Sequence, residues 1–320
     1  MKSNPEVSVI IPLFNKGLYI RRTLNSVFAQ TFKDYEVIIV DDGSTDDGPE
    51  KVMAYADSRL RLIHQANAGP GAARNRGIGE AQGKYVTFLD ADDEWLPEFL
   101  KKSYDILEKN KDCDVCVSAW FQDSATGDRI YEGKSIVEVY NSINIDMFDG
   151  IVDSSKLRYE KFLLHMWCSS TVFIRRCVFL KKYRFYDDTN YTYGEDHFLW
   201  IQLAFNHKFY RNCEPLAWYH NNVSELAYGG YVRREIEAFL LWPEKIIEKT
   251  ESRKRKIVRK WLVKYALSAA HSRLGVGQYD NALILIKKFP DMIVWAPIFF
   301  FKLLVKLLLY NVGIYRPCPK

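Results

Sequence analysis

At 320 residues the chain is long enough for about two domains, and its composition, 48% hydrophobic and 27% charged, excludes a disordered, collagenous or coiled-coil protein. A formal net charge of +5 hides an asymmetry: residues 231–320 carry 18 Lys and Arg against 7 Asp and Glu, whereas the first 230 carry 27 against 33. An acidic body is followed by a basic tail.

Met1–Glu6 leads into the short apolar run Val7–Ile11, and Pro12 interrupts it too early for a signal-peptide core. Six cysteines at irregular spacings do not form a disulfide framework. The CxxC at Cys113 and Cys116 borders an alternating segment, 114–120, which reads as a strand with small core thiols; a zinc or redox pair is the alternative. The expected location is cytoplasmic.

Val7–Ile11 is a β-branched strand. Ile20, Leu24, Val27 and Phe28 then share one helical face. The rhythm continues with strand 35–40, helix 49–56, strand 60–64, helix 71–82 and strand 85–89. Alternation of this kind predicts an α/β layer on a mostly parallel sheet, with ligands outside the carboxyl ends of the strands. Polar clusters fall at those ends. Asp41-Asp42-Gly43-Ser44-Thr45-Asp46 follows Val40, and Asp90-Ala91-Asp92-Asp93 follows Leu89. Taken singly they are explained by turn and helix-cap chemistry. Two acidic clusters on one sheet edge also suit Mg²⁺ or Mn²⁺ completed by substrate phosphates. No GxxxxGK[ST] loop is present. Gly69-Pro70-Gly71-Ala72-Ala73-Arg74 lacks the third glycine of a dinucleotide loop and follows the third strand rather than the first. It reads as a small-residue helix start that lets a ligand approach, with Arg74 and Arg76 offered to anions or a base edge, or simply solvated.

Val7–Pro12 with Asn15, Val40–Asp46, Asn67–Asn75 and Leu89–Asp93, in that order and spacing, resemble the successive signatures of family 2 glycosyltransferases of the GT-A fold. The resemblance implies an inverting, non-processive transferase with a nucleotide diphosphate-sugar donor. It places Pro12, Asn15, Asp41, Asp42, Arg74, Asp90 and Ala91 around the nucleotide sugar, with Asp42 on the base and Asp90 on the ribose. Asp92 takes the Mn²⁺ or Mg²⁺ of the DxD motif. Processive relatives carry Gln-x-x-Arg-Trp, and this sequence has no Arg-Trp pair.

Transfer to a hydroxyl also needs a general base on the opposite face of the sugar. Tyr193-Gly194-Glu195-Asp196-His197 opens an apolar-periodic helix and resembles the family's Glu-Asp motif. Asp196 is the expected base and Glu195 the second candidate; helix-dipole acids are the bland alternative. Trp218–Ser224 resembles a later Tyr-x-His…Ser stretch, from which His220 is a candidate metal or diphosphate ligand, or an ordinary hydrogen-bonded histidine. Trp167 lines an acceptor groove or packs in the core.

In the tail, Arg253–Lys256, Arg259, Lys260 and Lys264 interleave with Ile257, Trp261, Leu262 and Tyr265 at helical spacing, a basic amphipathic helix or the solvated face of a packed one. Nucleic acid is not expected, since no recognition module is visible and the body is acidic. Ile293–Tyr310 is strongly apolar but contains Pro297, Lys302 and Lys306, and its insertion energy sums to near zero. It reads as a helix lying in a membrane interface rather than a clean span.

The expected organisation is a GT-A-like catalytic domain over 1–230, divided into a nucleotide-sugar half (1–110) and an acceptor half (111–230). A helical membrane-associating tail follows over 231–320. The expected enzyme is a metal-dependent hexosyltransferase acting on a lipid-linked or cell-surface glycan precursor, peripheral to the inner face of the plasma membrane. A sugar-phosphate nucleotidyltransferase and a non-catalytic membrane scaffold on the same fold are the alternatives.

Overall fold

The computed structural model describes residues 4–122, 149–152, 167–180, 183–188, 194–220 and 236–311. By internal contacts the chain divides into two units, one comprising 1–157 and 163–229, the other 158–162 and 230–320.

The first unit is built on one sheet. Strands β1 (Val7–Leu13), β2 (Tyr35–Asp41), β3 (Leu60–His64) and β4 (Tyr85–Phe88) are mutually parallel in the order β3-β2-β1-β4. Helices α1 (Ile20–Phe28), α2 (Gly48–Met53) and α3 (Pro70–Glu80) make the crossovers. Every residue of β2, and all but Pro12 of β1, is buried. Sequestration on both faces explains why these strands read as unbroken apolar runs rather than alternating ones. The edge strand β3 is only half-buried. Predicted element bounds hold within a few residues, the largest difference being α2, which stops at Met53 rather than Ala56.

Beyond β4 the sheet becomes mixed. It continues through β8 (Val172–Arg175), β6 (Val115–Gln122), β9 (Phe209–Tyr219) and the two-residue β5 (Glu94–Trp95), with β7 (Gly150–Val152) on β9. β8 runs antiparallel to both β4 and β6. Between β5 and β6 lies α4 (Phe99–Lys109); α5 (Cys177–Leu180) follows β8, and α6 (Glu195–Asn206) precedes β9. Cys113 and Cys116 are fully buried, and burial pushes their thiols up to about 11 and about 12. They are inert core residues.

Because β2 lies on one side of β1 and β4 on the other, the chain reverses direction across the sheet between β1 and β4. Their carboxyl ends frame the crevice where doubly wound sheets bind ligands. Backbone pairing sets the frame: Leu89 donates its N–H to Ile10 O, and Asp42 donates to Leu13 O.

The second unit is helical. It contains α7 (Ala238–Leu241), α8 (Pro243–Lys249), α9 (Arg255–Gly275), α10 (Tyr279–Lys288), α11 (Met292–Trp295) and α12 (Pro297–Asn311). The apolar face of α9, with Val258, Trp261, Leu262 and Ala266, is buried within this unit, as is a paired Arg273–Glu237. Ile293–Tyr310 is not one helix: it breaks at Ala296 before Pro297, the residue that cannot donate to the preceding turn. No helix among the described residues is long and apolar enough to cross a membrane.

Candidate active site

The loop after β4 carries Asp90, Ala91, Asp92 and Asp93, and α1 holds it in place. Thr23 Oγ1 donates to the carbonyls of Ala91 and Asp93 (2.9 and 2.8 Å), and Arg22 donates to Asp92 O at 2.6 Å. Trp95 N–H donates to Ser26 Oγ, and Gln30 bonds Leu96 O and Leu100 N. The polar side of α1 is thus a clamp on the acidic loop. Periodicity revealed only its apolar side, because the partners lie about 70 residues away.

Asp92 is 7% exposed and ion-pairs with Lys16 Nζ at 2.9 Å, a contact that spans the crevice from the end of β1 to the end of β4. Burial first, and then the nearby Asp90 carboxylate, raise Asp92 above the ordinary carboxylate range, with Lys16 opposing. Asp93 is buried deeper; Ser170 Oγ and the His220 N–H donate to its carboxylate, and burial together with Asp90 and Asp92 pushes it well up. Nothing in the local sequence pattern marks Lys16, Arg22 or Asp93 for these contacts.

Asp42 is 2% exposed, and its carboxylate accepts from Gln65 Nε2 (2.7 Å), Ala68 N (2.9 Å) and Gly69 N (2.8 Å). It fixes the loop that starts α3. Asp41 accepts from Ser44 N and meets His64 Nδ1 at 2.9 Å. Asn15 has φ of 50°, in the left-handed region that Asn tolerates, and its Oδ1 accepts from Thr45 N at 2.8 Å. It ties the loop after β1 to the loop after β2. Pro12, beside Val40 in register, and Ala91 lie on the same edge.

Arg74 is placed where local sequence gives no hint. The side chain is 4% exposed; Nη2 donates to Asp90 Oδ1 at 2.5 Å and Nη1 to Glu195 Oε1 at 2.9 Å, with the guanidinium 5.3 Å from the Phe185 ring centroid. Burial would lower its pKa, but Asp90 and Glu195 outweigh burial and raise it. The guanidinium therefore joins the acidic loop after β4 to the start of α6. Arg76, by contrast, is exposed and pairs with Glu80 one turn on.

Close approach makes this possible. A Cβ on Gly71 would lie 2.0 Å from the Tyr186 carbonyl oxygen, and one on Gly77 2.4 Å from Ile10 Cγ2. Small residues in α3 bring it against β1 on one side and Tyr186 and Glu195 on the other. Gly71 thus has a packing role of its own within the run that also reads as a ligand approach.

Gly194, at φ 72°, starts α6. Glu195 is buried, and burial, with Asp196 adding to it, raises its carboxyl to about 7 against the pull of Arg74. Asp196 is half-buried and receives Ser169 Oγ at 3.4 Å and His197 N at 2.6 Å. The two acids therefore face different surroundings: Glu195 is buried and committed to Arg74, and Asp196 is half-buried beside Ser169.

His220 Nε2 lies 2.8 Å from Glu94 Oε1, to which Arg22 Nε also pairs at 3.1 Å; the His220 hydrogen bond first, opposed by burial and helped by Arg22, lowers Glu94. Its imidazole is thus turned to β5. Trp167 is buried and stacks on Trp200 at 5.5 Å, the packing reading. Tyr193 and residues 221–224 lie outside the described residues.

No three His, Cys, Asp or Glu side chains converge among the described residues in a way that would hold a metal by themselves. Asp90 and Asp92, near enough for one charge to raise the other's pKa, match the smaller donor set of one or two carboxylates that suits Mg²⁺ or Mn²⁺ with substrate phosphates completing the shell.

The model of glycosyl transferase family 2 matches residues 8–184, and the chain belongs to that family. Among curated relatives, the uncharacterized glycosyltransferase YibD of Escherichia coli K12 is 46% identical over 123 residues, covering 38% of this chain and 36% of YibD. The matched stretches span about a third or less of the first such relatives' own length. Among solved structures, residues 1–349 of S. aureus TarS in complex with UDP-GlcNAc superpose with a TM-score of 0.72 at 20% identity, over 97% of this chain and 93% of that one. The mannosyltransferase PcManGT of Pyrobaculum calidifontis, in complex with GDP-Man and Mn²⁺, gives 0.55 at 16% identity over 98% and 88%. At these identities the likeness is one of fold, and that fold is GT-A.

Proposed function

We propose that the protein transfers a single hexose from a nucleotide diphosphate-sugar to a hydroxyl of a lipid-linked or cell-surface glycan precursor, inverting the anomeric carbon. The observation that carries this reading is the Asp90–Arg74–Glu195 bridge, which holds the DxD carboxylates and the acid pair of α6 as one unit. The donor nucleotide belongs at the carboxyl ends of β1, β2 and β4. A divalent cation bound through Asp90 and Asp92 would supply charge stabilisation for the departing diphosphate. Lys16, already paired with Asp92, brings a second positive charge to the same crevice.

Asp196 acts as general base, accepting the proton of the incoming hydroxyl at a carboxylate oxygen. Its half-buried position supports that choice over the buried Glu195, whose Oε1 is taken up by Arg74. Gly194 and the ion pair of Glu195 orient the first turn of α6 and so aim Asp196. UDP-GlcNAc and GDP-Man, bound by structural neighbours, are the first donors to try.

The test is a screen of UDP-, GDP- and dTDP-sugars for hydrolysis and transfer with Mn²⁺. One donor should be turned over; Asp92→Asn should lower that rate at least ~10²-fold, and Asp196→Asn should lower transfer ~10²–10⁴-fold while leaving donor binding intact. Near-normal transfer by Asp196→Asn would refute the base assignment. Release of pyrophosphate from a sugar phosphate and a nucleoside triphosphate would replace the whole reading with a nucleotidyltransferase.

A further inference from the structure

The second unit carries an apolar surface that its own packing leaves uncovered. In α12, Leu303 and Leu307 are buried, but Ile298, Phe301, Val305 and Leu308, at spacings that place them on one helical face, are 70%, 67%, 37% and 64% exposed. Phe299 is exposed beside them, and Ile293 and Val294 of α11 extend the exposed apolar surface.

Its rim is cationic. Lys302 is exposed within α12, with its Nζ 5.7 Å from the Phe299 ring. From α9, Lys256 and Lys260 lie 6.0 and 5.6 Å from the Trp295 ring, between the two exposed apolar stretches. His271 Nε2 meets Phe299 O at 3.0 Å, which fixes the start of α12 against α9. Two of the lysines read from sequence as one face of a basic amphipathic helix therefore meet Trp295, where α11 gives way to α12.

We infer that this stripe of α12, with its lysine rim, is a docking face for an anionic lipid bilayer, entered to the depth of the headgroup–acyl boundary. An apolar face of Phe, Ile and Leu flanked by Lys and an interfacial Trp is the arrangement that lies in, rather than across, a membrane. Fifteen residues of α12 reach only about 22 Å along the axis, against about 30 Å of hydrocarbon. Charge selects the occupant. Residues 231–320 carry 18 basic against 7 acidic groups, so a second copy laid on the same face would bring two lysine rims together. An anionic surface attracts both rim and unit.

The inference stands apart from the transfer reaction and is tested on the full chain by co-sedimentation with phosphatidylcholine vesicles, with and without phosphatidylglycerol. Binding should be at least about tenfold stronger to the anionic vesicles and should weaken with added NaCl. Phe301→Ser with Leu308→Ser should reduce it at least about tenfold, and Lys302→Glu several-fold, with unfolding midpoints unchanged because these side chains are exposed. The comparison between vesicle types and the salt series use the unsubstituted protein, so a variant that fails to fold does not remove the test. Absence of binding to either vesicle overturns the inference. So does binding that the double variant retains, or a stable dimer in light scattering that the double variant dissolves while vesicles pellet nothing.

Discussion

Replacing Arg74 by Ala removes the one cation shared by two carboxylates in a nearly closed site. Arg74 is 4% exposed and Glu195 7%, so water reaches that pair poorly, whereas the Asp90 side chain keeps 27% of its surface in solvent. Breaking a buried pair from one side costs about 3–5 kcal/mol, because the remaining charge is left uncompensated. For a chain of 320 residues that corresponds to a fall of about 4–7 °C in the unfolding midpoint. The loss should depend on pH. Glu195 in the folded protein titrates at about 7, raised from an ordinary value of 4.5. The folded state therefore holds a proton that the unfolded chain has released, and this contribution is fully present below about pH 4.5 and is lost as pH rises through about 7. Without Arg74 the carboxyl rises further and the window extends upward. Urea unfolding followed by tryptophan fluorescence should thus show a larger deficit for Arg74→Ala at pH 8 than at pH 5.5. Arg74→Met with Glu195→Gln, which leaves unpaired only the more exposed Asp90 carboxylate, should recover much of it. A deficit below about 1 kcal/mol at pH 8, or one independent of pH, would refute the buried-bridge argument.

The Lys16–Asp92 pair places an ammonium on a proposed metal ligand. Lys16→Met should tighten Mn²⁺ binding measured by calorimetry without nucleotide, by several-fold; unchanged affinity would mean the ammonium and the cation do not compete. Gly71→Ala drives a methyl to within 2.0 Å of the Tyr186 carbonyl oxygen. It should cost about 1–3 kcal/mol or more in urea unfolding, and it should raise the donor KM by shifting α3; a midpoint equal to the unsubstituted protein would show that the backbone yields freely.

Much of the first hundred residues was legible because the information is local. β1, β2 and β4 are apolar runs that give way to polar residues at Asn15, Asp41 and Asp90, and the connecting helices show periodicity or small-residue composition. The acid clusters were visible for the same reason: a doubly wound sheet puts its chemistry where strands stop. What sequence could not provide was partnership. Asp42 and Arg74 read as groups facing a nucleotide, yet the first is hydrogen-bonded to the loop before α3 and the second is enclosed by Asp90 and Glu195. Neither partner is set by spacing. The clamp from Thr23 and Gln30 on the acidic loop escaped notice because polar residues on a helix read as solvated. In the tail, composition located the basic and apolar segments but not that α9 turns its apolar face inward while α12 turns one outward.

The Arg74–Glu195 contact joins positions 121 apart in the chain, and this has a consequence for how the protein is made. At about 5–20 residues per second on the ribosome, Arg74 and Asp90 are synthesised on the order of ten seconds before Glu195. During that interval the parallel half can form its strands and crossovers from what has already emerged. The buried arginine then has only Asp90 to neutralise it, and the proposed base does not yet exist. A nascent chain of this protein would therefore hold Arg74 against Asp90 alone, and the bridge between the acidic loop and α6 would close only once Glu195 had been added.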